Sequence, residues 1–146
     1  MSRLLLLLPA ATYRARDFLD AAARLDAEVV VASDHRQTLA GVLGDRALHL
    51  DLCRPHAAAR AIADLAERTP LDAVVAVDDP GVAVAALAAE ELGLAHNPPA
   101  AVAMTRNKAA ARRAFADAGL SQPAFRIVEQ GARVEPAAAA GGLPCV

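Results

Sequence analysis

Residues 72–93 read DAVVAVDDPGVAVAALAAEELG, a continuous apolar run followed by a turn and a long alanine-rich segment. The run Asp72–Val77 does not alternate between apolar and polar residues, which is typical of a strand covered on both faces. Two aspartates and a proline then predict a helix start, with a carboxylate as N-cap and Pro80 at the first helical position. The segment Val82–Leu92 is apolar nearly all round and stops at Gly93, so it predicts a largely buried helix. A strand followed by a helix is the unit from which open parallel sheets are built.

The rest of the chain repeats this order of strand and helix. Three further apolar runs predict strands, two amphipathic stretches predict helices, and a third stretch interrupted by glycines predicts a weaker helix. The predicted strands are Leu4–Leu8, Glu28–Ala32 and Arg46–Leu50, and the predicted helices are Arg14–Leu25, Arg36–Leu43 and Pro55–Thr69. The sequence therefore predicts an α/β fold with an open, mainly parallel, doubly wound sheet and right-handed crossovers.

The composition limits the classes of function. The chain has 146 residues, 55% of them hydrophobic, and a formal net charge of −2. A nearly neutral chain has no electrostatic attraction for nucleic acid or for an anionic membrane surface, so we expect neither as a partner. Cys53 and Cys145 lack a partner at the spacing of a metal site or a redox motif, which is typical of reduced thiols in the cytoplasm. The apolar start ends at Pro9, which favours a buried first strand over a signal peptide.

Three loops follow the carboxyl ends of predicted strands, where open α/β sheets bind their ligands. They are Pro9–Tyr13, Ser33–His35 and Asp78–Gly81. Asp34 occupies the place at which a dinucleotide-binding fold keeps its ribose-binding acid; the alternative is that it caps a helix. The first loop contains no glycine, so the GxGxxG pattern that lets a pyrophosphate approach the backbone is absent. This absence disfavours NAD or FAD binding.

Asp78 and Asp79 are candidate binding residues because their loop ends the fourth predicted strand. Their carboxylates could orient a substrate amine or coordinate a metal ion; the alternative is that Asp79 only caps the following helix. The four histidines are scattered without the spacing of metal ligands, and no serine or cysteine lies in a nucleophile motif. We therefore expect no catalytic nucleophile and no metal site here, and we take Asp34, Asp78 and Asp79 as candidate substrate-binding residues.

Lys108 is the only lysine of the chain, and the other fourteen basic residues are arginines. Arginine is a planar fork and lysine a compact point charge, so a site shaped for an ammonium does not accept the exchange freely. Lys108 lies in the segment Thr105–Pro123, which predicts a capped helix start, an amphipathic run, a stop at Gly119 and a proline exit. The alternative is a solvated lysine in the first turn of a surface helix.

Four motifs in the C-terminal third resemble those of a known superfamily. They are Gly93-Leu-Ala-His-Asn-Pro-Pro99, Asn107-Lys108 with Arg112, Ala118-Gly-Leu-Ser-Gln-Pro123, and Gly142-Leu-Pro-Cys-Val146. In this order and spacing they resemble the ATP-grasp superfamily, especially its carboxylate–amine ligases. The first half is similar more loosely, through Ser33-Asp34 and through Asp78-Asp79 before an alanine-rich helix. Two residues depart from the pattern, since Asn107 stands in place of an aspartate and Ser121 in place of a proline.

The resemblance implies two parts. Residues 1–104 would form a Rossmann-like pre-ATP-grasp domain, and residues 105–146 a linking helix and the first strands of an ATP-grasp lobe truncated before its core. In such ligases ATP lies between two lobes with Mg²⁺ on acidic and asparagine ligands, a carboxylate is phosphorylated to an acyl phosphate, and an amine displaces the phosphate. Lys108 matches the lysine that contacts the ATP phosphates.

The resemblance also implies what these residues do not supply. The second phosphate lysine, the glycine-rich phosphate loop and the Mg²⁺ ligands would follow Val146, so we expect this chain to be inactive by itself. A homodimer is compatible with the resemblance. The alternative function is a stand-alone Rossmann-like module that binds a small ligand through the Asp34 and Asp78 loops without catalysis.

Overall fold

The computed structural model describes residues 2–35 and 46–142. The predicted helix Arg36–Leu43 and residues 143–146 of the last motif lie outside these ranges. The chain divides into two compact units, Met1–Val102 and Ala103–Val146. Within the described residues, no helix is both long enough and apolar enough to cross a membrane.

The first unit is a parallel α/β sheet with helices on both faces. In chain order its described elements are β1 Arg3–Leu7, α1 Ala15–Arg24, β2 Glu28–Ser33, β3 Ala47–His49, α2 Pro55–Ala66, β4 Ala73–Ala76 and α3 Asp79–Glu91. The four strands are all parallel and lie in the order β3-β2-β1-β4. The predicted fold class is therefore confirmed, and the strands lie where the apolar runs predicted them.

Strand β1 is buried on both faces, which explains its unbroken run of leucines. Leu5 and Leu7 pack into a large core cluster that also contains Ile62 of α2 and Val84 of α3. Leu6 faces the other way, into a smaller cluster against which Phe18 of α1 packs. Because successive side chains of a strand point to opposite faces, each residue of β1 after Arg3 must be apolar to fill both clusters. Each fully buried leucine stabilises the fold by roughly 1.5–3 kcal/mol.

Arg3 stabilises the amino-terminal edge of the sheet through hydrogen bonds to three residues. Its guanidinium donates to the Glu28 carboxylate of β2, with Nε at 2.9 Å, and to the Pro70 carbonyl oxygen, also at 2.9 Å. Its backbone N–H donates to the Asp72 carboxylate at 2.7 Å. One residue at the start of β1 thus joins β2 to the segment that leads into β4.

The second unit contains two described helices, α5 Lys108–Asp117 and α6 Glu135–Gly141, and the short helix α4 Pro99–Thr105 spans the division between the units. The Asn107 side chain caps α5 by accepting from the Ala110 N–H at 3.0 Å. Gly119, with φ of +66°, ends it, and the Leu120 N–H donates back to the Phe115 carbonyl at 2.9 Å. This is the Schellman arrangement of a glycine-stopped helix. The predicted capped start and glycine stop are confirmed.

Gly81 lets α3 approach the sheet closely, which yields a test of the packing. A Cβ at this buried position would lie 3.1 Å from the Leu7 Cβ and 3.3 Å from the Ala76 Cβ, neither of which is the end of a flexible side chain. We expect Gly81→Ala to lower the free energy of unfolding by about 1–3 kcal/mol, because the helix must shift outward. Chemical denaturation followed by circular dichroism measures this loss.

The matched control for this prediction is Gly141→Ala. Gly141 also lies in a helix, but a Cβ there would meet no atom within 4 Å. We expect the control to be neutral or slightly stabilising, since alanine favours the helix. Equal destabilisation by both variants would mean that the contacts at Gly81 do not limit the packing.

Candidate functional site

The direction in which the chain adds strands to the sheet reverses at β1, and the carboxyl edge at this place is called the reversal point. The chain proceeds from β1 to β2 and β3 on one side, and then returns to add β4 on the other side of β1. The loops after β1 and β4 therefore diverge and leave a crevice between them, and open α/β sheets bind ligands at such a reversal. The helices α1, α2 and α3 all begin at this edge, so their positive dipole ends lie there too.

A pocket of about 420 Å³ lies at this reversal point. Its lining is formed by the end of β4, the first turn of α3 and the residue that precedes α1: Arg14, Ala76, Val77, Asp78, Asp79, Pro80 and Val82. The structure thus brings the predicted residues Asp78 and Asp79 together in one pocket. It also adds Arg14, which the sequence analysis named only as the first residue of the predicted helix Arg14–Leu25.

The start of α3 differs from the prediction by one residue. The helix begins at Asp79, so its N-cap is Asp78, whose backbone is extended with φ of −139° and ψ of 164°. The alternative that Asp79 caps the helix is therefore wrong, and Pro80 is the second helical residue rather than the first. The Asp78 side chain makes no capping hydrogen bond, although its carbonyl oxygen accepts from the Gly81 N–H at 3.0 Å. The Asp78 carboxylate therefore does not cap the start of the helix.

Asp34 has a different local role from Asp78 and Asp79. It follows β2, and its Oδ1 accepts a hydrogen bond from the Ala10 N–H at 2.7 Å. Asp34 does not line the pocket at the β1–β4 reversal. One carboxylate oxygen therefore holds the loop after β1, and a substrate-binding role for Asp34 stays a prediction.

Lys108 is the first residue of α5 and its side chain is exposed. The Asn107 cap satisfies the N–H of Ala110, while the N–H groups of the first two helical residues have no partner inside a helix. An ammonium at such a helix start lies beside N–H groups that also favour anions. The contact of Lys108 with ATP phosphates stays a prediction.

The described residues contain no group of three or more histidine, cysteine, aspartate or glutamate side chains that could hold a metal ion. Asp78 and Asp79 are two adjacent carboxylates of the same turn. The lining of the pocket presents one guanidinium and two carboxylates, and such groups bind charged ligands.

Comparisons with known proteins identify a family for much of this chain. The family model of the ATP-grasp N-terminal domain matches residues 19–96. A search of curated proteins gave no match. The matched segment runs from α1 beyond α3 and contains Asp34, Asp78 and Asp79, whereas Arg14 and Lys108 lie outside it.

Two solved structures share the fold. An L-amino acid ligase from Bacillus licheniformis is 20% identical with a TM-score of 0.69, and the match covers 86% of this chain and 32% of the ligase. A phosphoribosylglycinamide synthetase from Anaerococcus prevotii is 18% identical with a TM-score of 0.62, and the match covers 93% of this chain and 34% of the synthetase. The chain thus spans about a third of the length of each. The family model matches more than half of the chain, which therefore belongs to the ATP-grasp N-terminal domain family.

Proposed function

We propose that this chain is the N-terminal portion of an ATP-dependent ligase that joins a carboxylate to an amine through an acyl phosphate. The observation that carries the proposal is the match to the ATP-grasp N-terminal domain, which includes every residue that lines the reversal-point pocket except Arg14. In this proposal residues 1–104 form the pre-ATP-grasp domain, and residues 105–146 form the linking helix and the opening of the ATP-grasp lobe. The substrates in this proposal are small molecules in the cytoplasm, and a homodimeric assembly is compatible with it.

The reaction has two steps. A carboxylate oxygen of the first substrate attacks the γ-phosphorus of ATP, and ADP leaves. The nitrogen of the second substrate then attacks the carbonyl carbon, the C–N bond forms as phosphate leaves with the C–O electron pair, and the nitrogen loses a proton. Both steps depend on positioning and on neutralisation of phosphate charge, so they need no protein nucleophile. Mg²⁺, bound outside the described residues, would supply part of that neutralisation.

The residues of this chain have two roles in the proposal. Asp78 and Asp79 line the pocket at the carboxyl edge and can hold a substrate amine by charge-assisted hydrogen bonds. Lys108 brings an ammonium to a helix start that already favours phosphate. The compact shape and three donors of the ammonium suit a group whose oxygens point in several directions.

A pair of substitutions at Lys108 tests its role in the longer ligase. We expect Lys108→Ala to lower kcat/KM for ATP roughly ten- to hundredfold, the effect of losing a hydrogen bond between charged groups worth about 1.5–3 kcal/mol. Lys108→Arg should restore only part of the loss, because the planar fork does not reproduce the point charge. Steady-state kinetics at varied ATP concentration measure both effects.

The control is Arg113→Ala, which removes a cation from the exposed surface of the same helix. It should leave the ATP kinetics unchanged, and melting curves should show that all three variants fold. If Lys108→Ala has the kinetic constants of the parent enzyme, the lysine is a solvated surface residue.

The 146-residue chain itself should neither bind Mg-ATP at micromolar concentration nor hydrolyse it. The reason is that the second phosphate lysine, the phosphate loop and the Mg²⁺ ligands implied by the family are not matched within it. Calorimetric titration with Mg-ATP and an assay for released phosphate test this expectation. Saturable binding together with turnover would contradict the assignment of the ATP site.

A stand-alone binding module is the second candidate, and one observation favours it. The pocket is formed within Met1–Val102 alone, so a small ligand could bind without any ATP-grasp lobe. The coding sequence after Val146 separates the two functions. An open frame with a lysine shortly downstream and acidic residues later supports the ligase, and a stop codon supports the module.

A further inference from the structure

Arg14 occupies a position at which the helix itself disfavours a cation. It is the N-cap of α1, and its side chain makes no capping hydrogen bond. N-caps are preferentially serine, threonine, aspartate or asparagine, and the positive dipole end of a helix repels a guanidinium. A residue that breaks a local rule without a capping contact is a candidate for a functional role.

The exposed side chain of Arg14 contacts an aromatic ring, and this contact uses none of its hydrogen-bond donors. Its Cζ lies 5.3 Å from the centroid of the Phe18 ring, one turn along α1. Contact with a ring face engages the π system and leaves the five N–H groups, which lie in the guanidinium plane, available for an anion. Among the described residues, no hydrogen bond or ion pair uses this guanidinium. Within the described residues, the guanidinium therefore has an aromatic contact and no carboxylate partner.

The backbone that leads to Arg14 is anchored as well. The Thr12 N–H donates to the Pro9 carbonyl at 2.9 Å, and the Ala10 N–H donates to Asp34 at 2.7 Å. The loop after β1 is thus fixed at its turn and at the neighbouring strand. Such support by surrounding contacts preorganises a binding group before the ligand arrives.

Asp78 supplies the opposite charge in the same pocket. Its carboxylate makes no capping hydrogen bond, and it forms no ion pair with Arg14 within the described residues. Two opposite charges that share a pocket without pairing leave room for a ligand that bears both charges. The volume of about 420 Å³ lies within the roughly 300–1,000 Å³ of small-ligand pockets.

We infer that Arg14 binds an anionic group of a zwitterionic ligand whose ammonium is held by Asp78. The anion is a carboxylate or a phosphate, both of which match the donor fork of arginine. The inference rests on the proposed function only in that this ligand is one substrate of the ligase. The binding itself requires no ATP and no further domain.

The test is a titration of the isotope-labelled 146-residue chain followed by two-dimensional NMR. The probes are L-alanine, which carries both charges, its methyl ester, which lacks the carboxylate, and N-acetyl-L-alanine, which lacks the ammonium. O-phosphoethanolamine provides an ammonium with a phosphate. We expect L-alanine or O-phosphoethanolamine to shift the amide resonances of Arg14 and of residues 78–82, with a Kd on the order of 1 mM. Whichever binds more tightly identifies the anion.

Substitutions separate binding from structure. Arg14→Ala should weaken binding roughly ten- to hundredfold, and Arg14→Lys should weaken it less because the charge remains. The melting temperature should change little, since losing the Phe18 contact and relieving the dipole repulsion offset each other. Asp78→Asn should weaken binding of the ammonium. The matched control is Arg16→Ala, an exposed α1 arginine whose ion-pair partner is Asp20.

The outcomes are decisive in both directions. Loss of binding in Arg14→Ala but not in Arg16→Ala, together with failure of the methyl ester and of the N-acetyl probe, supports the inference. Equal binding by Arg14→Ala and the parent chain overturns it, as does the absence of any shift at these residues with both zwitterions. Failure here leaves the Lys108 kinetics untouched, so it is distinguishable from failure of the proposed function.

Discussion

The fold depends on β1 being the central strand, paired on both edges and covered on both faces. Leu5 and Leu7 are fully buried in the cluster shared with α2 and α3, while Leu6 fills the cluster on the α1 side. Its register aligns Leu7 with Ala32 of β2 and with Ala76 of β4, so the three strands end at nearly the same level. The pocket exists because the chain leaves β1 on one side and returns on the other. Packing of a single strand thus determines where a ligand can bind.

Much of this architecture could be predicted from the sequence because local patterns of residues determine it. Unbroken apolar runs identified strands covered on both faces. A capped start after Thr105 and a stop at Gly119 were predicted for α5, and the structure identifies Asn107 as the cap. The first turn of α3 was less certain, because Asp78 and Asp79 both satisfy the preference for an N-cap before proline. Their difference appears only in the backbone, where Asp78 is extended and Asp79 is helical.

The composition of the pocket was less predictable because it is set by contacts between distant segments. Asp34 accepts a hydrogen bond from the Ala10 N–H, 24 positions earlier in the sequence, and no local pattern revealed this partner. Arg14 appeared in the sequence as one of several charged residues on an amphipathic helix. A signal was nevertheless present, since an arginine at the start of a helix contradicts both capping and dipole preferences.

The amino-terminal and carboxyl edges of the sheet differ in the contacts that they make. At the amino-terminal edge Arg3 binds Glu28, Pro70 and Asp72, and these contacts join three segments far from the loops that line the pocket. Changes at that edge should therefore affect stability alone, whereas the proposal expects changes in the pocket at the opposite edge to alter ligand binding as well. During divergence, a lineage could retain Arg3 and its partners and still exchange the loops after β1 and β4 for others. The same separation would let a protein engineer graft new loops onto this scaffold without disturbing the contacts of Arg3 at the amino-terminal edge.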